Sequence, residues 1–190
     1  MSFSHYRLAD LPVEPWRNGG GMTRTLATGE APDNGSPSWR VSVANIDTDG
    51  PFSSFEGYDR TIISIDGPPA RLHVDGTSTS LVANIPLYFP GESRVYCSIA
   101  GPTVDLNVMV RRDLAKAKVW VDRSSSMSLP PSATVDQLVF VLEGELAVSD
   151  GVSPGYEAAT RFDCLQPERG TGCHLVGNAL VVRIEIETLS

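Results

Sequence analysis

Glycine and proline interrupt this 190-residue chain at short intervals, and the segments between them are rich in β-branched and aromatic residues. No window keeps an apolar period of 3.6 residues over three helical turns. Short apolar runs separated by turn residues are typical of antiparallel sandwiches and barrels. The sequence therefore predicts an all-β fold. The predicted strands are Arg40–Ile46, Thr61–Asp66, Ala70–Val74, Leu81–Ile85, Arg94–Ile99, Val104–Val110, Lys118–Val121, Gln137–Leu142, Glu145–Ser149 and Leu180–Glu187.

Two segments carry a similar pattern, which predicts a duplicated architecture. Residues 61–67 read TIISIDG and continue into ARLHVDG, and residues 138–144 read LVFVLEG and continue into ELAVSDG. Each pattern predicts a β-hairpin that turns at an acid-glycine pair. The Ser/Pro-rich stretch Ser124–Ser132 indicates a surface loop or linker between the halves. We expect two domains, residues 1–115 and 116–190, across whose boundary the terminal strands can pass.

Charge and composition narrow the classes of partner. The formal net charge is −8 at pH 7, so the protein repels nucleic-acid phosphates and anionic lipid, and we expect neither as a partner. The N-terminus lacks a basic segment followed by an apolar one, and no run of about 18 apolar residues occurs. The three cysteines include no C-x-x-C pair, which indicates buried thiols. We expect a cytoplasmic protein, with homodimerisation as the default assembly.

Four blocks carry a resemblance to a known family. Pro15–Arg24 reads PWRNGGGMTR, Trp39–Ala44 reads WRVSVA, Gly50–Arg60 reads GPFSSFEGYDR and Gly101–Arg112 reads GPTVDLNVMVRR. In this order they resemble the HutD/Ves family, bicupin proteins encoded with histidine-utilisation genes in many bacteria. The resemblance implies a bicupin fold of two small antiparallel barrels of the RmlC-like jelly-roll kind. It also implies no metal and a pocket for an intermediate of histidine breakdown.

The residues at the cupin ligand positions argue against a catalytic metal. Metal-binding cupins use three His and a Glu, and alignment of the first cupin motif on Gly67 puts Arg60 at the Glu position. The three histidines, His5, His73 and His174, are separated without any ligand spacing. A transition-metal site needs imidazoles or carboxylates that converge on one ion. We therefore expect no metal and no other cofactor.

Arg60 is the leading candidate for ligand binding. It opens the TIISID strand, where cupins place a side chain that faces the pocket. A guanidinium offers a rigid fork of donors suited to a carboxylate. The alternative is a structural ion pair with Asp59, Glu56 or Asp66.

The strand at residues 104–110 has one apolar face and one mostly polar face. Asp105, Asn107, Met109 and Arg111 alternate with apolar residues. The polar face is either solvated, as is common in antiparallel sheets, or lines the pocket. In the second case Asp105 would orient Arg60.

Trp16 and Asn18 belong to the block with three consecutive glycines. A phosphate-binding loop is one reading, but the Lys-Ser/Thr pair and a following helix are missing. A close approach of the backbone to the pocket, or a bulge, fits better. Trp16 is either a lid over a flat ligand or a core residue. Phe52 and Phe55 are expected to plug one end of a barrel. The candidate ligand-binding residues are therefore Arg60, Asn18, Trp16, Asp105, Asn107 and Met109.

Function follows from these candidates and from the resemblance. The sequence has no G-x-S-x-G motif and no suggestive Cys–His spacing. The leading hypothesis is a non-catalytic sensor or regulator of histidine degradation that binds a small carboxylate. The resemblance implies urocanate, formiminoglutamate or formylglutamate as the ligand. The alternatives are a metal-free cupin enzyme, an isomerase or hydrolase acting on the same intermediates, and a protein that meets a protein partner.

Overall fold

The computed structural model describes residues 3–16, 19–32, 35–149 and 157–189. In these ranges the chain forms β-strands and one helical element, a 3₁₀ turn at Leu8–Asp10, which confirms the predicted all-β class. None of the described segments forms a helix long and apolar enough to cross a membrane. The strands are β1 (Phe3–Arg7), β2 (Glu14–Pro15), β3 (Gly21–Thr28), β4 (Trp39–Ile46), β5 (Gly50–Pro51), β6 (Tyr58–Asp66), β7 (Ala70–Val74), β8 (Thr77–Leu81), β9 (Leu87–Pro90), β10 (Val95–Ile99), β11 (Thr103–Arg111), β12 (Ala115–Leu129), β13 (Val135–Ser149), β14 (Glu157–Ala159), β15 (Asp163–Pro167) and β16 (Cys173–Thr188).

The strands divide between two compact units. The first unit comprises Leu11–Lys116, joined by Leu189, and the second comprises Ala117–Thr188 together with the N-terminal residues through Asp10. Relative to the expected spans 1–115 and 116–190, residues 3–10 belong to the second unit instead of the first. The reason is that β1 pairs antiparallel with β15, a strand of the second unit.

The first unit contains two sheets. A six-stranded sheet has the order β2-β3-β4-β11-β6-β9, and a four-stranded sheet has the order β5-β10-β7-β8. One apolar cluster draws on both sheets, so they pack face to face. Its buried members are Ile46, Ile62, Ala70, Leu72, Leu81, Phe89, Val95 and Cys97.

The second unit contains one six-stranded sheet of order β1-β15-β13-β16-β12, in which β14 also pairs with β13. Its core cluster is made mostly of Leu and Val side chains from β12, β13, β15 and β16. The hairpin predicted at Glu143-Gly144 is wrong, because β13 runs unbroken from Val135 to Ser149. The register shifts between Val141 and Glu143, and Gly144 has a φ of +79°. The extra residue of this bulge is Leu142, and the acid-glycine pair follows it inside the strand, where both residues pair with β16, so the pair is not a turn.

The hairpin predicted at Asp66-Gly67 is wrong as well, because β6 and β7 lie in different sheets and do not pair with each other. Two further sequence predictions are corrected in detail. The Ser/Pro-rich stretch Ser124–Ser132 is largely strand, because β12 continues to Leu129. Met127 and Leu129 of this stretch are buried in the core cluster, whereas Ser125, Ser126 and Ser128 are exposed. The strand predicted at Leu81–Ile85 lies earlier, at Thr77–Leu81.

Candidate functional site

A cavity of about 720 Å³ lies in the first unit. This volume is within the range of small-molecule binding sites. Residues of β2, β3, β4, β6 and β11 and of the segment 51–55 line it, and most of its polar groups come from the six-stranded sheet.

Strand register explains why these polar groups meet. Strand β11 lies between β4 and β6, and Met109 is in register with Arg40 on one side and Arg60 on the other. Asn107 is in register with Ser42. Because alternate side chains of a strand share a face and directly paired residues point the same way, all five side chains lie on one side of the sheet.

Arg60 is buried, at 4% exposure, and lies in an aromatic surround. Its guanidinium carbon is 5.5, 5.4 and 5.0 Å from the ring centroids of Phe52, Phe55 and Phe89. Its Nε–H donates to Asn107 Oδ1 at 3.4 Å. Among the described residues this is its one hydrogen bond, and no carboxylate lies within 4.0 Å of it. Its Nη groups therefore make no hydrogen bond to the described residues.

The alternative role predicted for Arg60 was a structural ion pair. Arg60 forms no such pair with the described acidic residues. Asp59 instead accepts a hydrogen bond from Arg112 Nε at 2.8 Å. Burial lowers the pKa of Arg60 to about 10, against the opposing effect of the Asp105 charge. The guanidinium therefore remains cationic at neutral pH.

Asp105 is the buried acid of the cavity, with 1% exposure. Its Oδ1 has no hydrogen-bond partner, and Ser64, its register partner on β6, also has an unpartnered buried Oγ. Burial raises the pKa of Asp105 to about 7, although the Arg60 charge and a hydrogen bond with Asn107 oppose this rise. At neutral pH the carboxyl group can therefore hold or release a proton.

Arg40 is a second guanidinium on the cavity wall, and it was not among the sequence candidates. It is half-buried, its Nη2–H donates to Met109 Sδ at 3.5 Å, and it lies 5.6 Å from the Phe55 ring centroid. The sequence signal was present in WRVSVA, where Arg40 and Ser42 alternate with Trp39, Val41 and Val43. That alternation places a cation on the same face as the serine.

Trp16 is half-buried, lines the cavity and also packs against the apolar cluster of the first unit. Its Nε1–H donates to Thr23 Oγ1 at 2.8 Å, and its ring meets Phe52 edge to face at 6.3 Å. In the glycine run after it, Gly21 closely approaches the neighbouring strand β4, and an approach of this backbone to the pocket stays a prediction. A Cβ on Gly21 would overlap the carbonyl oxygen of Asn45. Strand β3 follows the run, so no helix N-terminus is present to bind phosphate.

The six sequence candidates separate into three groups. Four of them line the one cavity: Trp16, Arg60, Asp105 and Asn107. Met109 is buried and contacts Arg40, but it is not part of the lining. Asn18 lies outside the described residues. The expected hydrophobic plug, Phe52 and Phe55, is part of the cavity wall, and the roles of these residues in binding stay predictions.

The polar groups of the cavity do not fit a divalent metal. Among the residues whose positions are described, no three His, Cys, Asp or Glu side chains converge to hold one. The carboxylates of Asp105 and Glu14 share the cavity with the guanidiniums of Arg40 and Arg60. The described residues of this lining combine two acids with two guanidiniums and do not supply the convergent carboxylates or imidazoles that a divalent cation needs.

Solved structures of low sequence identity share the fold. YhhW from Escherichia coli has a TM-score of 0.67 at 8% identity, covering 96% of this chain and 97% of that chain. An oxalate decarboxylase from Bacillus subtilis has a TM-score of 0.60 at 11% identity, covering 96% of this chain and 76% of that chain. At such identities the likeness shows the fold alone, which is all-β and cupin-like.

Closer relatives extend over most of the chain. A protein from the hutC 3′ region of Pseudomonas putida is 33% identical over 167 residues, 85% of either chain. Protein Ves from Citrobacter koseri is 32% identical over 84% of this chain and 83% of its own. The structure of HutD from Pseudomonas fluorescens SBW25 in a formate condition is 30% identical, with a TM-score of 0.86 over 99% of this chain and 100% of that chain. The sequence model of the HutD family matches residues 8–181, and the chain therefore belongs to the HutD family.

Proposed function

We propose that this HutD-family protein is a cytoplasmic bicupin that binds a small carboxylate at Arg60 and acts as a non-catalytic sensor or regulator linked to histidine degradation. One observation carries the proposal. The buried guanidinium of Arg60 lines a cavity and has no carboxylate partner among the described residues.

The energetics of burial support an anionic ligand. A buried charge is costly unless an opposite charge or hydrogen bonds compensate it. The three aromatic rings around Arg60 compensate only in part, because cation–π attraction of about 2 kcal/mol each at a desolvated site supplies neither a counter-charge nor hydrogen-bond acceptors for the guanidinium fork. A ligand carboxylate would accept two parallel N–H bonds from the guanidinium fork. Binding would thus supply the counter-charge that the described residues do not place in contact with Arg60.

The names of two relatives point to the pathway. One relative is named for the hutC region and another is a HutD, so we propose urocanate, formiminoglutamate or formylglutamate as the ligand. All three are carboxylates, and the cavity of about 720 Å³ is large enough for molecules of this size. The net charge of −8 supports a protein without nucleic-acid or membrane partners. Homodimerisation stays part of the proposal.

Isothermal titration calorimetry with each of these three compounds tests binding. Arg60→Met keeps the apolar stem and removes the charge, and it should weaken binding at least about 100-fold, because a buried charge-assisted pair is lost. The matched control is Arg71→Met, which changes an exposed arginine on β7 and should bind as the wild type does. Wild-type affinity in a folded Arg60→Met variant would refute the assignment of the site.

The second candidate function is a metal-free enzyme, and one observation favours it. Asp105 lines the cavity with an unpartnered oxygen and a pKa of about 7, which suits a general acid or base. Proton NMR of each compound after incubation with the protein distinguishes the two functions. A product formed by the wild type and lost in Asp105→Asn would make the protein an isomerase or hydrolase. Unchanged ligand supports the sensor or regulator.

A further inference from the structure

We infer that Arg40 is a second anion-binding residue of this cavity and that the ligand is a dicarboxylate, with one carboxylate on Arg60 and the other on Arg40. The inference rests on the proposed function, because it assumes that Arg60 binds a carboxylate. It narrows the ligand from any small carboxylate to one that bears two negative charges.

The positions of the two arginines support a shared ligand. Both are in register with Met109, on opposite sides of β11, and neighbouring strands are about 4.8 Å apart, so their Cα atoms are separated by about 10 Å. The guanidinium carbons lie 5.6 and 5.4 Å from the same Phe55 centroid, so they are at most 11.0 Å apart. A short carbon chain with a carboxylate at each end can reach both.

Arg40, like Arg60, has no anionic partner in the described part of the chain. Among the residues that the structure describes, its one hydrogen bond goes to Met109 Sδ at 3.5 Å, and a thioether is a weak acceptor. Arg112 of the same unit, in contrast, is paired with Asp59 at 2.8 Å. In the described part of the first unit, acidic side chains thus pair with Arg112 outside the cavity. No described acidic side chain contacts Arg40 or Arg60 on the cavity wall.

The two acids that line the cavity lie in one row across the sheet, since Glu14 pairs with Thr23, Thr23 with Ala44, and Ala44 with Asp105. This row determines which way a dicarboxylate points. Asp105 shares a face of β11 with Met109 and lies four residues away, about 13 Å along the strand. A second carboxylate that pointed toward Asp105 would meet a buried group that is negative when ionised. A carboxylate that pointed toward Arg40 would meet a positive charge instead. The field along this face thus orients a dicarboxylate with its second carboxylate at Arg40.

The test compares each dicarboxylate with its monoamide, which keeps the shape and removes one charge. The probes are succinate and succinamate, glutarate and glutaramate, and N-formylglutamate and N-formylglutamine, titrated calorimetrically into the full-length protein. The wild type should bind at least one dicarboxylate about tenfold or more tightly than its monoamide, as expected for one charged hydrogen-bonded contact. Arg40→Met should weaken the dicarboxylate about tenfold and change the monoamide less than about twofold.

Two further variants serve as controls for this measurement. Arg40→Lys keeps a cation and should retain part of the preference for the dicarboxylate, while Arg71→Met should retain all of it. Thermal melts followed by circular dichroism verify that each variant is folded. If Arg40→Met does not fold, loss of the preference is measured with Arg40→Gln, which keeps a polar side chain of intermediate length.

The outcomes separate this inference from the proposed function. Equal affinity of the wild type for dicarboxylate and monoamide, or an equal loss of both in the Arg40 variant, overturns the dicarboxylate while binding that depends on Arg60 still stands. Binding that survives Arg60→Met overturns the proposed function. Failure of every probe to bind the wild type overturns the dicarboxylate, and failure of urocanate and formiminoglutamate as well overturns the proposed function.

Discussion

Arg60 and Asp105 line one cavity as buried, opposite charges that are not in contact. Arg60 donates its hydrogen bond to Asn107, and Asp105 Oδ1 has no partner. Burial disfavours the charged form of each group, so it lowers the pKa of Arg60 to about 10 and raises the pKa of Asp105 to about 7. The cavity therefore keeps a cation that can accept an anion and a carboxyl group that can take up a proton near neutral pH.

Asp105→Asn should change how stability depends on pH. The native pKa of about 7 lies above the unfolded value of 3.8, so the native state binds more protons between these values, and wild-type stability falls as pH rises through this window. Asparagine does not titrate, so the free energy of unfolding of the variant, relative to that of the wild type, should rise by up to about 4 kcal/mol between pH 4 and pH 7. Urea unfolding at pH 4, 5.5 and 7 measures the difference. Glu145→Gln, at an exposed position, is the control, and a pH-independent difference for Asp105→Asn would contradict the prediction.

The strand pattern predicted the fold class, but it did not distinguish turns from bulges. Asp66-Gly67 ends a strand, whereas Glu143-Gly144 lies inside β13, although both are an acid followed by glycine after an apolar run. The difference comes from β16, a 16-residue partner that continues to pair with β13 on both sides of the bulge. Such pairing is non-local, so a short window of sequence does not contain it. The serine run of β12 was misread for the same reason.

Residues of the candidate site were predictable where the sequence pattern of a single strand was sufficient. Alternation along β11 brought Asp105 and Asn107 to one face, and the cupin motif brought Arg60 to the pocket. The second guanidinium, Arg40, required the register of β4 against β11 and the position of Phe55. Neither can be read from one segment. The sequence therefore predicted that Arg60, Asp105 and Asn107 lie together, and it missed Arg40, which lies across β11 from Arg60.

Gly21→Ala should destabilise the first unit. A Cβ at this position would overlap the carbonyl oxygen of Asn45 and come within 3.2 Å of Trp16 Cε3, so β3 or the Trp16 ring must shift. Overpacking of this kind costs about 1–3 kcal/mol. Thermal unfolding measures the cost, and tryptophan fluorescence reports the displacement of Trp16. Gly50→Ala is the matched control because a Cβ there meets nothing within 4 Å, and equal melting temperatures of the two variants would contradict the expectation.

Arg169→Met should destabilise the second unit more than Arg123→Met does. Asp136 is buried and accepts hydrogen bonds from Arg169 Nε at 2.9 Å and Nη2 at 2.7 Å. Removal of the arginine leaves a buried carboxylate with less compensation, at a cost of about 1–3 kcal/mol because Arg169 itself is partly exposed. Arg123 pairs with the exposed Glu143, and its loss should cost less than about 1 kcal/mol. Equal urea midpoints for the two variants would show that burial of Asp136 has no such effect.

Affinity for a carboxylate should fall as pH rises from 6 to 8. A ligand carboxylate at Arg60 adds a negative charge near Asp105, which raises the pKa of Asp105 above its free value of about 7. Binding therefore takes up protons in this range, and by linkage the affinity decreases with pH, at most about tenfold per pH unit. Titrations in triethanolamine and in Tris at pH 7.5 reveal the uptake, because the two buffers release protons with different heats and neither is an anion that could bind the arginines. Asp105→Asn removes the titrating group and should bind with the same affinity at pH 6 and pH 8, and with the same heat in both buffers. Proton uptake that persists in this variant would assign the linkage to another group, and a pH-independent wild type would mean that Asp105 does not interact electrostatically with the bound carboxylate.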